Sequence, residues 1–319
     1  MSTTLRSLTA LLLLAFALVT ALAQTAAPPA DAPAFTLKPL GHDVYAAIDA
    51  NGKAGANAGF VIGSDSVLVV DTFEHEPAAQ QLLAEIHKRT PLPVKYVANT
   101  HYHLDHVAGN RVFQQAGATI IAQRNVPGWI HTENLKFFGK NIKPEQKSLV
   151  EALGAPDRTY TDSLDLSLGS VAVSVRYFPG HTGGDSVVFI PAATVVFCGD
   201  LFWNATLPNL IDASTMPWIS TLDSLLKSQP AATAFVPGHG DTGNTENVAA
   251  FRDYLKNLRE ILSGPVQSGK SDDELVASVL PQLEEKYGQW HFFKYFAKPN
   301  ILDTAAELRG SKRVPQPVP

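Results

Sequence analysis

Thr100-His101-Tyr102-His103-Leu104-Asp105-His106 stands almost directly after the apolar stretch Val94–Ala98, and its reading decides the fold. In extended backbone, residues i and i+2 point to one face, so His101 and His103 can bite one ion between them. The turn through Asp105 and His106 aims two more ligands at a neighbouring position. Ala108-Gly109-Asn110 frees the backbone to turn there and begin a helix. Imidazoles with a carboxylate and no thiolate suit zinc, with iron or manganese as weaker competitors. Tyr102, between two ligands, points to the opposite face of the strand and reads as packing.

One loop cannot close two metal sites, so further ligands must come from elsewhere. His181 lies in Pro179-Gly180-His181-Thr182-Gly183-Gly184-Asp185, and His239 in Val236-Pro237-Gly238-His239-Gly240-Asp241. Each sits among glycines just past a strand pattern, where ligand-bearing loops belong. His87 falls on a polar helix face. His42, His75, His131 and His291 have no such setting, although His75 follows the strand end at Asp71 and could line a cleft. Asp200 ends the apolar run 195–198, and its two oxygens are able to bridge two metals. Taken alone, an aspartate after a strand is more often a cap or turn residue.

Outward from these loops the chain reads as short strands in clusters with helices between the clusters. Ala58–Ile62 and Val67–Val70 flank Gly63-Ser64-Asp65 as a hairpin, and 77–88 carries Leu82, Leu83 and Ile86 on one helical face. Val171, Val173 and Val175 alternate as in a half-buried strand. Residues 187–190 and 195–198 form a second hairpin around Pro191-Ala192-Ala193. Helices are expected over 217–226 and 246–262, and Ser271-x-x-Glu274 is a capping box opening another, with Pro281 at its end or kink. Clustered strands of this kind imply two mixed sheets stacked on each other with helices outside.

The N-terminus has its own pattern. Arg6 precedes the apolar run 8–19, and Ala21-Leu22-Ala23 offers small residues at both positions of a cleavage site. That is the order of a secretory signal peptide, and the run is shorter than the roughly 20 residues a spanning helix needs. Residues 1–23 are therefore expected to be removed, leaving no membrane anchor and a periplasmic or secreted protein. Residues 24–35, rich in Ala, Pro and Asp, read as a flexible leader. A single cysteine, Cys198, rules out an internal disulfide, so the core or metal must hold an exported chain of this size. A net charge of −5 gives no footprint for nucleic acid, which argues against a nuclease or phosphodiesterase.

The ordered set H-x-H-x-D-H, H-T-x-G-D, G-D and P-G-H-G resembles the metallo-β-lactamase superfamily, from about Val44 to Leu262, with Asp71 at the strand end of the family's first motif. The resemblance implies an α/β fold, a four-layer αβ/βα sandwich over 36–264, followed here by a C-terminal helical extension over 265–319. It implies one zinc held by His101, His103 and His181, and a second held by Asp105, His106 and His239. Asp200 would bridge the two. Lactamases sharing this arrangement usually lack a bridging aspartate, and those that use a cysteine ligand place it where Asp200 stands. Cys198, on an apolar strand, reads instead as core.

A bridging aspartate leans toward the wider hydrolase group: lactonases, thioesterases, arylsulfatases and phosphodiesterases. Two zinc ions sharing a water would make hydroxide available near neutral pH for attack on a carbonyl, with Asp105 orienting the nucleophile and accepting its proton. The expected partner is a small acyl compound. Glutathione thioesters are disfavoured, because export removes the chain from the cytosolic pool. The superfamily also includes mononuclear iron dioxygenases of persulfides, the rival reading from another class. Phe73, Trp203 and 129–138 are candidate apolar walls or ordinary core residues, while the aromatic run 290–296 reads as a helix packing on the domain or on another subunit.

Overall fold

The structure, a computed structural model, describes residues 33–317. The expected signal peptide and most of the expected leader lie outside the described residues. The order of elements begins with the strands β1 (Phe35–Pro39), β2 (Val44–Asp49), β3 (Ala58–Ile62) and β4 (Val67–Val70), an antiparallel meander. Helix α1 (Glu76–His87) then crosses to β5 (Val94–Ala98), which pairs parallel with β4. The short helices α2 (Leu104–Val107) and α3 (Asn110–Gln115) lead to β6 (Thr119–Gln123), and α4 (Val126–Trp129) and α5 (Pro144–Glu151) lead to β7 (Arg158–Tyr160). These seven strands make one sheet in chain order, its second half parallel.

The second sheet has five strands in the order β12-β11-β10-β9-β8. Its members are β8 (Ser163–Ser167), β9 (Ala172–Tyr177), β10 (Ser186–Ile190), β11 (Val195–Trp203) and β12 (Ala234–His239), with α6 (Thr215–Ser228) joining the last two. Pairing is antiparallel as far as β11, which takes β12 in parallel. Three helices close the chain: α7 (Thr245–Gln267), α8 (Asp272–Tyr287) and α9 (Phe293–Leu308).

Period-two patterning makes the layers. On β4, Val67 and Val69 pack outward against α1 and α3, while Leu68 and Val70 face the other sheet. There they meet Val173, Val175, Val188 and Phe197 in a core between the sheets. Both faces of β4 are buried, hence its unbroken apolar run Val-Leu-Val-Val. On the far side of the second sheet, Trp218 of α6, Phe251 and Leu255 of α7, Leu275 and Val279 of α8 and Ile301 of α9 share one core. Each such fully buried large side chain stabilises the fold by roughly 1.5–3 kcal/mol. The result is the four-layer sandwich with C-terminal helices that the sequence led us to expect.

Three details differ from expectation. Ala34 and Phe35, assigned to the leader, belong to the fold: Ala34 N–H donates to Gln81, and buried Phe35 stacks on Phe73 at 5.2 Å. The Ser271–Glu274 capping box forms, but α8 continues through Pro281 to Tyr287 rather than ending there. Helix α7 runs unbroken past residue 264, so the C-terminal helices continue from it within a shared core. Among the described residues no helix is long and apolar enough to cross a membrane.

Candidate metal centre

Four separate stretches deliver the seven expected side chains. His101 and His103 leave the end of β5, and Asp105 and His106 ride on α2. His181 lies between β9 and β10, Asp200 lies within β11, and His239 ends β12. The parallel register sets Trp203 of β11 opposite His239. Glycines give the backbone its close approach. A Cβ on Gly238 would sit 1.9 Å from Asp200 Oδ1, and one on Gly199 (φ +50°) would sit 2.3 Å from the Thr100 hydroxyl.

The seven side chains meet in two groups, His101, His103, His181 and Asp200 in one, and Asp105, His106 and His239 in the other. Within each group the ligand atoms lie within 4.8 Å of one another. Asp200 faces both. Its Oδ2 is 3.2 Å from His181 Nε2 and 3.8 Å from His101 Nε2. Its Oδ1 is 3.1 Å from His106 Nε2 and 3.5 Å from His239 Nε2. Asp105 Oδ2 is 3.1 Å from His239 Nε2 and 3.6 Å from His106 Nε2. His101 Nε2, His106 Nε2, His239 Nε2 and Asp200 Oδ1 are buried atoms without a hydrogen-bond partner. Buried polar atoms are rarely left so. Four that converge, all nitrogen or carboxylate oxygen, are the donor set a divalent cation such as zinc takes.

Outer partners aim the rings. Asp71 accepts from the Thr100 amide and hydroxyl, each at 2.7 Å, and lies 2.9 Å from His106 Nδ1. The Thr100 hydroxyl, its own proton given to Asp71, lies 3.1 Å from His101 Nδ1 and can accept from it. On His103 the order is reversed. Nε2 lies 3.0 Å from Asp212 Oδ2, leaving Nδ1 to face His181 Nε2 at 3.0 Å. These partners assign the protons to His101 Nδ1, His106 Nδ1 and His103 Nε2, so the opposite nitrogens present lone pairs inward. His239 is held differently, stacked on the Trp203 ring at 4.0 Å.

The electrostatics follow from crowding. Burial opposes charge on His106, yet the carboxylates of Asp200, Asp105 and Asp71 hold its imidazolium well above the ordinary range. Burial likewise opposes charge on Asp200, but His106, His239 and His181 keep its carboxyl well below. Burial and then the neighbouring rings of His106 and His103 push His101 well down. A site of this kind exchanges protons for a bound cation.

Comparison with known proteins agrees. Residues 51–239 match the model of the metallo-beta-lactamase superfamily, which is more than half of the chain. The chain belongs to the metallo-β-lactamase superfamily. The linear primary-alkylsulfatase of a Pseudomonas sp. is 25% identical over 70% of this chain, which spans about half (51%) of that enzyme's length. The metallo-beta-lactamase type 2 of Bacteroides fragilis is 25% identical, covering 69% of this chain and 83% of its own. A hydroxyacylglutathione hydrolase of Brucella anthropi is 28% identical over 64% of this chain and 71% of its own. Among solved structures, a metallo-beta-lactamase from Pontibacter korlensis shares the fold, with a TM-score of 0.56 and 22% identity over 70% of this chain and 99% of its own.

Against this superfamily framework the sequence reading missed Asp212. It is buried, accepts from the Tyr102 hydroxyl at 2.5 Å and pairs with Lys136. Tyr102 is thus not packing alone but orients the partner of His103. No motif surrounds Asp212, so nothing in the sequence marked it. Phe73 is no cavity wall: it is fully buried under the first sheet. Trp129 is likewise buried, whereas Phe137 stands edge-on to His103 at 5.0 Å. Trp203 lines the cavity above the cluster, together with Phe292, Tyr295 and Phe296 of the aromatic run expected only to pack. Cys198 is buried core, its thiol pushed up by burial. His75 is exposed and lies outside the cluster.

Proposed function

We propose that the chain is an exported dinuclear zinc hydrolase acting on small acyl compounds: lactones, aryl esters and, more slowly, β-lactam-like amides. The observation that carries the dinuclear reading is Asp200, whose two oxygens face two separate ligand groups. His101, His103 and His181 would hold one ion, Asp105, His106 and His239 the other, with Asp200 shared between them. Zinc bound there supplies a water of lowered pKa and polarises an acyl oxygen.

The chain's own residues do the rest. Asp105, its side chain still 28% exposed, stands at the cavity floor, where its carboxylate can orient water and take a proton. Trp203 and Phe137 present ring surface on either side and exclude solvent from the reacting group.

The carbonyl reading is supported by the cavity of about 800 Å³ over the cluster. Apart from Asp105 and Asp200 its charged wall residue is Glu74, and no Lys or Arg is among its described walls. Phosphodiesters and sulfate esters carry fixed negative charge and, beyond the proposed metal ions, would find no Lys or Arg among those walls to hold it. Export rests on the pattern of residues 1–23, and N-terminal sequencing of the mature protein should begin near Gln24.

Elemental analysis should find two zinc ions per chain, and His239→Ala should leave one. Lactones and aryl esters should then outrun β-lactams, thioesters, phosphodiesters and alkyl sulfates. Faster cleavage of a phosphodiester or sulfate ester would overturn the carbonyl reading, and iron at unit stoichiometry would favour the dioxygenase one.

A further inference from the structure

Two cavities meet at Phe292. The first, of about 800 Å³, lies over the ligand cluster between Phe137, Trp203 and Tyr295. The second, of about 560 Å³, lies beside it among Thr36, Asp49, Asn51 and Asp241. Gly55, His239 and Phe292 line both, and only Phe292 among the three has a large apolar side chain. Its ring is 6.2 Å from His239, 6.4 Å from Trp203 and 5.8 Å from Phe296, and the residue remains 42% exposed. An exposed phenylalanine at this place is not held by burial.

The backbone is held instead. Phe292 has φ +60°, a left-handed conformation that bulky side chains avoid. The strand-like bridge beside it fixes this geometry: His291 N–H donates to Ala205 O, and Leu207 N–H donates to His291 O, both at 2.9 Å. On the other side Phe292 opens α9, its carbonyl accepting from the Tyr295 and Phe296 N–H groups at 2.9 Å, and a strained residue so held points to a demand on where its side chain goes.

We propose that Phe292 is the specificity-determining residue of this site, its ring partitioning the cleft so that the larger cavity takes one short, uncharged aromatic or branched apolar acyl arm. Longer arms would have to run into the second cavity, and the ring closes that path. The class of acyl compound rests on the hydrolytic reading above; the partition rests on the two cavities.

The test uses the zinc-loaded protein and two non-hydrolysable ketones, acetophenone and the longer 4-acetylbiphenyl, with binding followed by tryptophan fluorescence. Wild type should prefer acetophenone. Phe292→Ala and Phe292→Gly should both shift the affinity ratio toward 4-acetylbiphenyl by about tenfold or more, the scale of adding apolar contact in a pocket. Phe292→Leu should fall between. An unchanged ratio in both small variants overturns the partition, and so does a shift in the glycine variant alone, which would trace to backbone relief. Binding is read whether or not any acyl compound is hydrolysed. Failure of the hydrolytic reading therefore shows in the substrate panel and leaves this measurement standing.

Discussion

Asp212 Oδ2 lies 3.0 Å from His103 Nε2, and the Tyr102 hydroxyl donates to the same oxygen. Lys136 pairs with the other oxygen, so the carboxylate is fixed from two sides. With Lys136 and Tyr102 in place, Asp212 can only accept, and it selects the His103 tautomer whose Nδ1 is free for metal. Asp212→Ala should therefore weaken zinc at the three-histidine site by about 10–100-fold. Chelator competition measures this; unchanged affinity would show that His103 is aimed by packing alone.

Asp71 does the corresponding work for two other ligands without touching the cavity. It is buried and accepts from Thr100 twice while facing His106 Nδ1. Asp71→Ala removes a buried charge from all three partners and should cost about 3–5 kcal/mol of stability. Urea unfolding midpoints would read it. Asp71→Asn, which tolerates the φ of +57° and keeps one acceptor, should lose less.

Gly238 offers a test of geometry rather than chemistry. A methyl group there would lie 1.9 Å from Asp200 Oδ1, so Gly238→Ala must displace the carboxylate that faces both groups. Zinc content after dialysis should fall at both positions. Gly117→Ala is the control. Gly117 has φ +92° with nothing within 4 Å of an added Cβ, so it should lose about 1–2 kcal/mol of stability and no zinc.

Asp105→Asn keeps the shape of a ligand but removes a proton acceptor at the cavity floor. Turnover of an aryl ester should fall by at least about 10²-fold. Zinc content must be measured on the same sample, because Asp105 Oδ2 also lies 3.1 Å from His239 Nε2. A fall no larger than the loss of zinc would reduce Asp105 to a ligand only.

Local chemistry made much of this protein legible without coordinates. Unbroken apolar runs such as Val67–Val70 state that both faces of a strand are buried, and apolar patterning of this kind placed β3, β4, β5 and β10 within a residue or two. The cluster 101–106 and the glycine-flanked His181 and His239 stand out because imidazoles in such numbers just past strands have few structural uses. Pro281 left two outcomes open, an end or a kink, and the helix runs on through it, since a proline inside a helix is costly only where its neighbours cannot adjust, and sequence does not show that.

What the sequence by itself determined is the inventory: the candidate ligand side chains, their loops, the two-sheet sandwich and the aromatic C-terminal run. What only the tertiary structure decided is who meets whom. Asp212 reaches His103 across 109 positions, and Phe292 approaches His239 from the start of the last helix. Neither carries a motif, because an outer-shell carboxylate or a cavity wall needs only a position in space. Sequence periodicity records which face of an element is buried; it holds no information on which distant element covers that face. That information arises only when the two sheets close on each other and the C-terminal helices close over the second sheet.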